Sequence, residues 1–382
     1  MKNIYDESIA LHKENGGKLE VISKVPLSNK NDLSLAYTPG VAGVCLAIAE
    51  NPQLASVYTI KKNTVAIVSD GTAILGLGDL GPLAAIPVME GKAAIFKQFG
   101  GVDALPICLD TKDTEEIIKI VKQISPVFGG INLEDISAPR CFEIEERLRR
   151  ELDIPVMHDD QWGAATVSLA ALINALKLAD IKTEDAKVVL SGVGAAGVAT
   201  GRLLHEYGIR NTIFCDSHGI INSKRQDLTK EKIELLRVSN AEEMEGGLEQ
   251  ALIGADVFIG LSKPNIVSKE MVQSMNSKPI IFGLSNPNPE ILPELAYEAG
   301  AFIVATGRSD YPNQINNSLV FPGLFKAMLD SQIPQFENKI FVTCAIALAN
   351  MIENPSTDKI IPSMFDEGVM KTIYNAVKSL YL

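Results

Sequence analysis

AKVVLSGVGAAG, residues 186–197, decides how the chain is read. An apolar β-branched run, a glycine turn and a small-residue stretch follow without a gap, in the order strand, turn, helix. In Gly192-Val193-Gly194-Ala195-Ala196-Gly197 the first glycine permits the tight turn and the second lets a pyrophosphate approach the backbone. The third lets helix and strand pack closely, and the phosphates rest on the helix N-terminus. Asp216 lies 19 residues past Gly197, at the end of the next apolar run NTIFCDS (211–217), where an acid bonds an adenosine ribose. It opposes a 2′-phosphate and so favours NAD, while Lys224 and Arg225 are near enough to leave NADP open. The plain alternative is a glycine-rich turn with no ligand.

The alternation continues on both sides. Downstream come ADVFIGLS (255–262), KPIIFGLS (278–285) and AFIVATG (301–307), with helix-prone segments between them. Upstream, ALPICLD (104–110), VFGGINLED (127–135) and IPVMHDD (154–160) alternate with helical stretches. One of these, 139–152, has Ser137 as a fitting N-cap and Cys141, Ile144, Leu148 and Leu152 as its inward stripe. A β-α-β-α order demands parallel sheets with helices packed on them. The expected fold is α/β with two domains. Residues 1–160 form an N-terminal α/β substrate and metal domain; residues 161–382 form a Rossmann-like, doubly wound dinucleotide-binding domain. Its helical tail, from about residue 323, is free to pack back on the first unit.

Composition narrows the function. The 382 residues carry 47 acids against 35 Lys and Arg, a net charge of −12, and no stretch concentrates the cations. Nucleic acid and acidic membranes are poor partners for such a surface, and an anionic substrate needs local positive charge. Stretches 73–89 and 164–179 are weakly polar but interrupted, and read as buried elements rather than membrane spans. Five cysteines, with no CxxC pair, point to a reducing compartment and to buried, inert thiols. No HExxH spacing supports a zinc hydrolase. The N-terminus lacks a signal-peptide core, so a cytoplasmic location is expected.

Four acids mark a candidate site. Glu134-Asp135 and Asp159-Asp160 end successive strands, and neighbouring parallel strands bring both pairs to one carboxyl edge. Acids so crowded need a cation, and an all-oxygen set with no nearby Cys suits Mg²⁺ or Mn²⁺. In a regular strand Glu134 and Asp135 point to opposite faces, so the chain must bend there. The bland reading is solvated acids, or Asp160 as a helix cap. Lys92, beside such a cation, is expected to have a depressed pKa and to serve as a base; otherwise it is a surface lysine. Tyr37, before the turn Thr38-Pro39-Gly40, suits packing or proton relay. Asn286, Asn316 and Asn317 follow strands, where amides orient a carboxylate or a nicotinamide, though Asn-Pro is also a turn signal.

SLAYTPGV, ILGLGDLG with EGK, INLED, HDDQWGAA, SGVGAAG, LSNPNPE and NNSLVFPG span residues 34–323 in the order found in malic enzymes, and the chain resembles that family in its compact prokaryotic-type branch. The resemblance implies an oxidoreductase for oxidative decarboxylation of (S)-malate to pyruvate and CO₂, with NAD or NADP and Mg²⁺ or Mn²⁺. It further implies a homodimer. By it, Tyr37 matches the general acid and Lys92 the base. Glu134, Asp135 and Asp160 match the metal ligands, with Asp159 close by. Asn286 and Asn317 match positions that touch cofactor and substrate. Longer members carry an arginine for the distal malate carboxylate where this chain has Thr72-Ala73, so that clamp does not carry over. The alternatives are a malolactic-type enzyme, another NAD-linked 2-hydroxy acid dehydrogenase, or a non-catalytic dinucleotide sensor.

Overall fold

Two parallel sheets joined by one long buried helix organise the chain in the computed structural model, which describes residues 3–381. Helices α1 (Ile4–Asn15), α2 (Lys30–Ala36), α3 (Val41–Glu50) and α4 (Ala55–Tyr58) precede the first strand, and none of them buries a side chain. The first unit then runs β1 (Thr64–Ser69), α5 (Pro82–Gly100), β2 (Asp103–Cys108), α6 (Thr114–Ile124), β3 (Gly130–Leu133), α7 (Arg140–Glu151) and β4 (Val156–His158). Its strands pair in parallel in the order β2-β1-β3-β4. β1 is buried along its whole length, as a strand covered by helices on both faces must be. In α6 the spacing of Ile117, Ile118 and Val121 lays all three inward, and Asp113 caps the helix through the Glu116 N–H at 2.9 Å.

Helix α8 (Asp159–Ala179) leads to the second unit. This comprises β5 (Lys187–Ser191), α9 (Ala195–Tyr207), β6 (Asn211–Asp216), β7 (Gly219–Ile220), α10 (Lys230–Leu236), α11 (Leu248–Leu252), β8 (Val257–Gly260), α12 (Lys269–Gln273), β9 (Ile280–Gly283), α13 (Pro293–Glu298) and β10 (Ile303–Thr306). The order β10-β9-β8-β5-β6-β7 is doubly wound, with the reversal between β5 and β8, the usual place for a ligand crevice. Only β7 is antiparallel, a two-residue return after β6. The tail, α14 (Phe321–Asp330), α15 (Asn338–Asn350) and α16 (Val369–Lys378), packs back on the first unit. There Phe96 of α5 meets Phe321 and Phe325 at ring centroid distances of 4.6 and 5.4 Å, and Trp162 of α8 stacks on Phe341 at 4.8 Å.

Three expectations need correction. Stretch 73–89 is buried only in part: Ile74, Ala85 and Met89 lie in the core, but Leu75, Leu77, Leu80 and Leu83 are exposed. Glycines with positive φ at 71, 76, 78 and 81 turn it into an open loop before α5 begins. Ser137 does not cap α7, which starts after Pro139; its hydroxyl accepts from Arg140 instead, at 3.2 Å. Cys45 is exposed, because nothing in the chain covers its face of α3, whereas Cys141, Cys215 and Cys344 are buried. Among the described residues, two segments are long and apolar enough to cross a membrane. Lys30–Glu50 is divided into helices of 7 and 10 residues, each short of the roughly 20 a span needs, and Asp159–Ala179 is a buried core helix.

Candidate active site

The parallel pairing of β3 with β4 sets their carboxyl ends side by side. Just past β3 the chain turns left-handed at Asp135, φ 52°, and this is the bend that two consecutive acids need to face one point. One oxygen each from Glu134, Asp135 and Asp160 lie within 4.8 Å of one another. Asp160, in the first turn of α8, also accepts the Asp135 N–H at 2.8 Å, so it ties the two strand ends together rather than merely capping its helix. Asp135 Oδ2 and Asp159 Oδ1 are buried without a hydrogen-bond partner. Burial, reinforced by mutual repulsion and opposed by the charge of Lys92, holds all four carboxyls above the usual carboxylate range, Asp159 at about 7. Three converging oxygens, an orphaned buried one and no thiol form a donor set that fits Mg²⁺ or Mn²⁺.

Lys92 comes from the middle of α5 and is buried. Its ammonium donates to Glu134 and, at 2.5 Å, to Asp159, and it lies 4.5 Å from the centroid of the Phe321 ring. Burial alone lowers its pKa, but the charges of Asp159, Glu134 and Asp160 outweigh that and hold it above the ordinary lysine value. The expected depression is therefore reversed while the acids alone face the amine: it requires a cation to offset their charge. Asn317 Nδ2 donates to Asp159 at 2.6 Å, and Asn132 Nδ2 to Glu134 at 3.0 Å. A buried polar row, Asn132–Glu134–Lys92–Asp159–Asn317, thus crosses from β3 to the segment after β10.

Asn286 sits in the loop after β9, wedged between two glycines. A β-carbon on Gly76 would lie 2.5 Å from its carbonyl oxygen, and one on Gly307 2.7 Å from its Nδ2. The open loop of the first unit therefore closes on the second unit at Asn286. Tyr37 is not brought to the cluster by a hydrogen bond: it follows α2, is 64% exposed and makes no side-chain hydrogen bond among the described residues. Thr72-Ala73 bears no cation of its own, and the one beside it, Arg140, is already engaged by Asp70. Thr72 Oγ1 donates to Asp70 at 2.6 Å and accepts from Ser137 and Arg140, and Arg140 is itself bound to Asp70 at 2.8 Å.

The dinucleotide turn has the shape its glycines require. Gly192 has φ 103°, and a β-carbon there would lie 2.4 Å from the Leu261 carbonyl oxygen; on Gly197 it would lie 1.9 Å from the Gly192 oxygen. Gly194 faces open space, and no side chain caps α9, so its first N–H groups are free for phosphate oxygens. Val193, Ala195 and Ala196 complete this turn. Asp216 ends β6 as expected, but it is not a bare acid. Arg225 donates to both of its oxygens at 2.9 Å and Lys232 to one at 2.6 Å. Partial burial works against them, yet these bonds hold its pKa at about 2.

Sequence reasoning missed the residues that brace the site. Glu145, buried on α7, accepts the His158 N–H at 3.0 Å, Gln161 at 2.9 Å and Trp162 at 2.9 Å, which fixes the strand-to-helix turn bearing Asp159 and Asp160. Its signal was a charge beside the apolar stripe Cys141, Ile144 and Leu148. Burial lowers the His158 pKa to about 4 and keeps that ring neutral beneath Asp160.

Comparison with known proteins bears on this arrangement. Residues 16–149 match the malic enzyme N-terminal domain, and residues 162–372 match the malic enzyme NAD binding domain. An NAD-dependent malic enzyme of Geobacillus stearothermophilus is 54% identical over 98% of this chain and 78% of its own length. A bifunctional malic/malolactic enzyme of Bacillus subtilis is 50% identical over 98% of the chain and 92% of its own. The crystal structure of an NAD-dependent malic enzyme from Thermotoga maritima superposes with a TM-score of 0.94 at 49% identity, covering 97% of this chain and 98% of that one.

Proposed function

The chain belongs to the malic enzyme family, and from that premise we propose that it oxidises (S)-malate and decarboxylates it to pyruvate and CO₂ while reducing NAD(P), with a divalent metal. The observation that carries this reading is the buried convergence of Lys92 with Glu134, Asp135, Asp159 and Asp160, in a chain whose second sheet bears the dinucleotide turn.

When bound, the divalent cation supplies Lewis acidity and the nicotinamide a hydride acceptor. Glu134, Asp135 and Asp160 would hold the cation, and the Gly192–Gly197 turn with Asp216 would hold the dinucleotide. Lys92, once uncharged, takes the proton of the malate 2-hydroxyl; Asp159, bonded to its Nζ, keeps the amine aimed and shares the proton. Asn317 orients the substrate from the other side of Asp159, and Asn286 does so from the second unit. Tyr37 is assigned the proton donor to C3 of the enol product on its motif. The division of labour falls at 160/161, where the first sheet has ended and α8 has begun.

The working unit we propose is a cytoplasmic homodimer. Ile4, Ile9, Val21, Ile22, Leu35 and Leu46 are all more than half exposed, on a segment that buries nothing within its own chain. A second copy would cover this face, on which Tyr37 also stands. The five cysteines are free, as a reducing compartment requires.

The test is malate-dependent formation of NADH or NADPH by the purified chain. Mn²⁺ or Mg²⁺ supports it, EDTA abolishes it, and light scattering reads twice the chain mass. Full activity in EDTA refutes the metal assignment. Lactate released without free NADH establishes the malolactic reading, which the Bacillus subtilis relative makes the natural second choice.

A further inference from the structure

β8 and β9 run side by side with Gly260 opposite Gly283, and each passes into its tip through the same three residues, Gly260-Leu261-Ser262 and Gly283-Leu284-Ser285. Glu290 lies between the two tips and is fully buried. One of its carboxylate oxygens accepts the Ser262 N–H at 2.9 Å, and the other accepts the Ser285 N–H at 3.1 Å. No lysine, arginine or histidine pairs with it among the described residues. Burial pushes its pKa up, and the N–H groups pull it back. A buried carboxylate compensated only by backbone N–H groups is an expensive way to join two loops unless their spacing matters. Gly260 is there to admit it: a β-carbon on that residue would lie 2.3 Å from the Glu290 carboxyl carbon.

Both tips reach the site. The Leu261 N–H donates to the Ser191 carbonyl at 2.8 Å, and Ser262 Oγ lies 3.2 Å from Ser191 Oγ, at the foot of the dinucleotide turn. The Leu261 carbonyl is also the atom packed against Gly192. On the other tip, Ser285 is followed directly by Asn286. We infer that Glu290 is a positioning residue for the reaction: its two oxygens hold the strand tip under the dinucleotide turn in register with the loop that carries Asn286, so that nicotinamide and malate meet. The inference rests on the function proposed above.

Glu290→Gln keeps the shape but turns an NH₂ group toward one of the two N–H donors. Glu290→Asp keeps the charge but is one methylene too short to reach both tips. In both variants the KM for malate rises about tenfold or more and kcat falls, and calorimetric titration of NAD into metal-free protein shows affinity reduced several-fold. Val304→Ala, a cavity in β10 of the same sheet, is the stability control: it lowers the melting temperature and leaves KM and NAD affinity in place. Wild-type KM and NAD affinity in either Glu290 variant overturn the inference, whatever the melting temperature does. Wild-type protein inert toward malate instead overturns the parent reading, and the NAD titration still decides the role of Glu290.

Discussion

Gly163→Ala tests the geometry around Lys92 without touching a charged group. Gly163 lies one turn into α8, four residues after Asp159. In an unconstrained helix interior this substitution stabilises by about 1 kcal/mol, because alanine loses less backbone entropy than glycine. Here a β-carbon would stand 2.0 Å from Asp159 Oδ1, 2.8 Å from its Cγ and 3.0 Å from the Asn317 β-carbon. Ordinary contact begins near 3.4 Å, so the carboxylate must retreat by more than about 1 Å. It has nowhere cheap to go: Asp159 is fully buried, and its other oxygen is held by Lys92 at 2.5 Å and by Asn317 at 2.6 Å. Separating a buried ion pair costs about 3–5 kcal/mol. Set against the helix gain, the net is a destabilisation of about 2 kcal/mol or more. A displacement of that size at the group aiming the base costs about 10²-fold in turnover. The assay is kcat for NADH formation at saturating malate and Mn²⁺, alongside thermal melts. A variant that melts higher than wild type and turns over at the wild-type rate refutes the packing argument and, with it, the role given to Asp159.

Three further outcomes follow, two from the same side chains and one from Asp216. Lys92→Ala lowers turnover by about 10³-fold, in the range that general-base catalysis supplies, and leaves NAD affinity intact; unchanged turnover removes Lys92 from the chemistry. The acid cluster also sets the pH dependence of stability. The folded pKa values of Glu134, Asp135, Asp159 and Asp160 lie above their unfolded values, so the folded protein binds the extra protons. Their contribution is complete below about pH 4 and is lost as pH rises through the folded range, about 7 for Asp159. Metal-free protein therefore loses melting temperature between about pH 5 and 8, and Mn²⁺ raises and flattens that profile; a metal-free melting temperature that climbs across this window contradicts the cluster. Asp216 works the other way: its folded pKa of about 2 gives stability above about pH 4 that is lost as pH falls toward 2.

Most of the fold was legible because strands covered on both faces leave unbroken apolar runs, as KVVLS does; β1, TVAIVS, leaves such a run too but was not among the strands read from the sequence. β7 was not, since two residues carry no period. The leucines of the 71–81 loop misled for a physical reason: apolar content alone does not show that four left-handed glycines hold them out of the core. The convergence of the acids and the glycine turn before α9 were readable from spacing, as strand ends in a parallel sheet share an edge. Glu145 and Glu290 were not, because a buried carboxylate acquires its role from N–H groups distant in sequence. The sign of the Lys92 shift also lay beyond sequence, as it depends on which charges face the amine.

Asp159 opens α8 directly from His158, the last residue of β4, while the body of α8 packs in the core shared with the second unit. The chain crosses between the two units twice, at α8 and again between β10 and α14, whose tail packs back on the first unit. Glu134, Asp135 and Asp160 stand together at the edge of the first sheet, whereas the contact of Asn286 with Gly76 joins one unit to the other. Parting the sheets would therefore break that contact and leave the three oxygens where they are relative to one another.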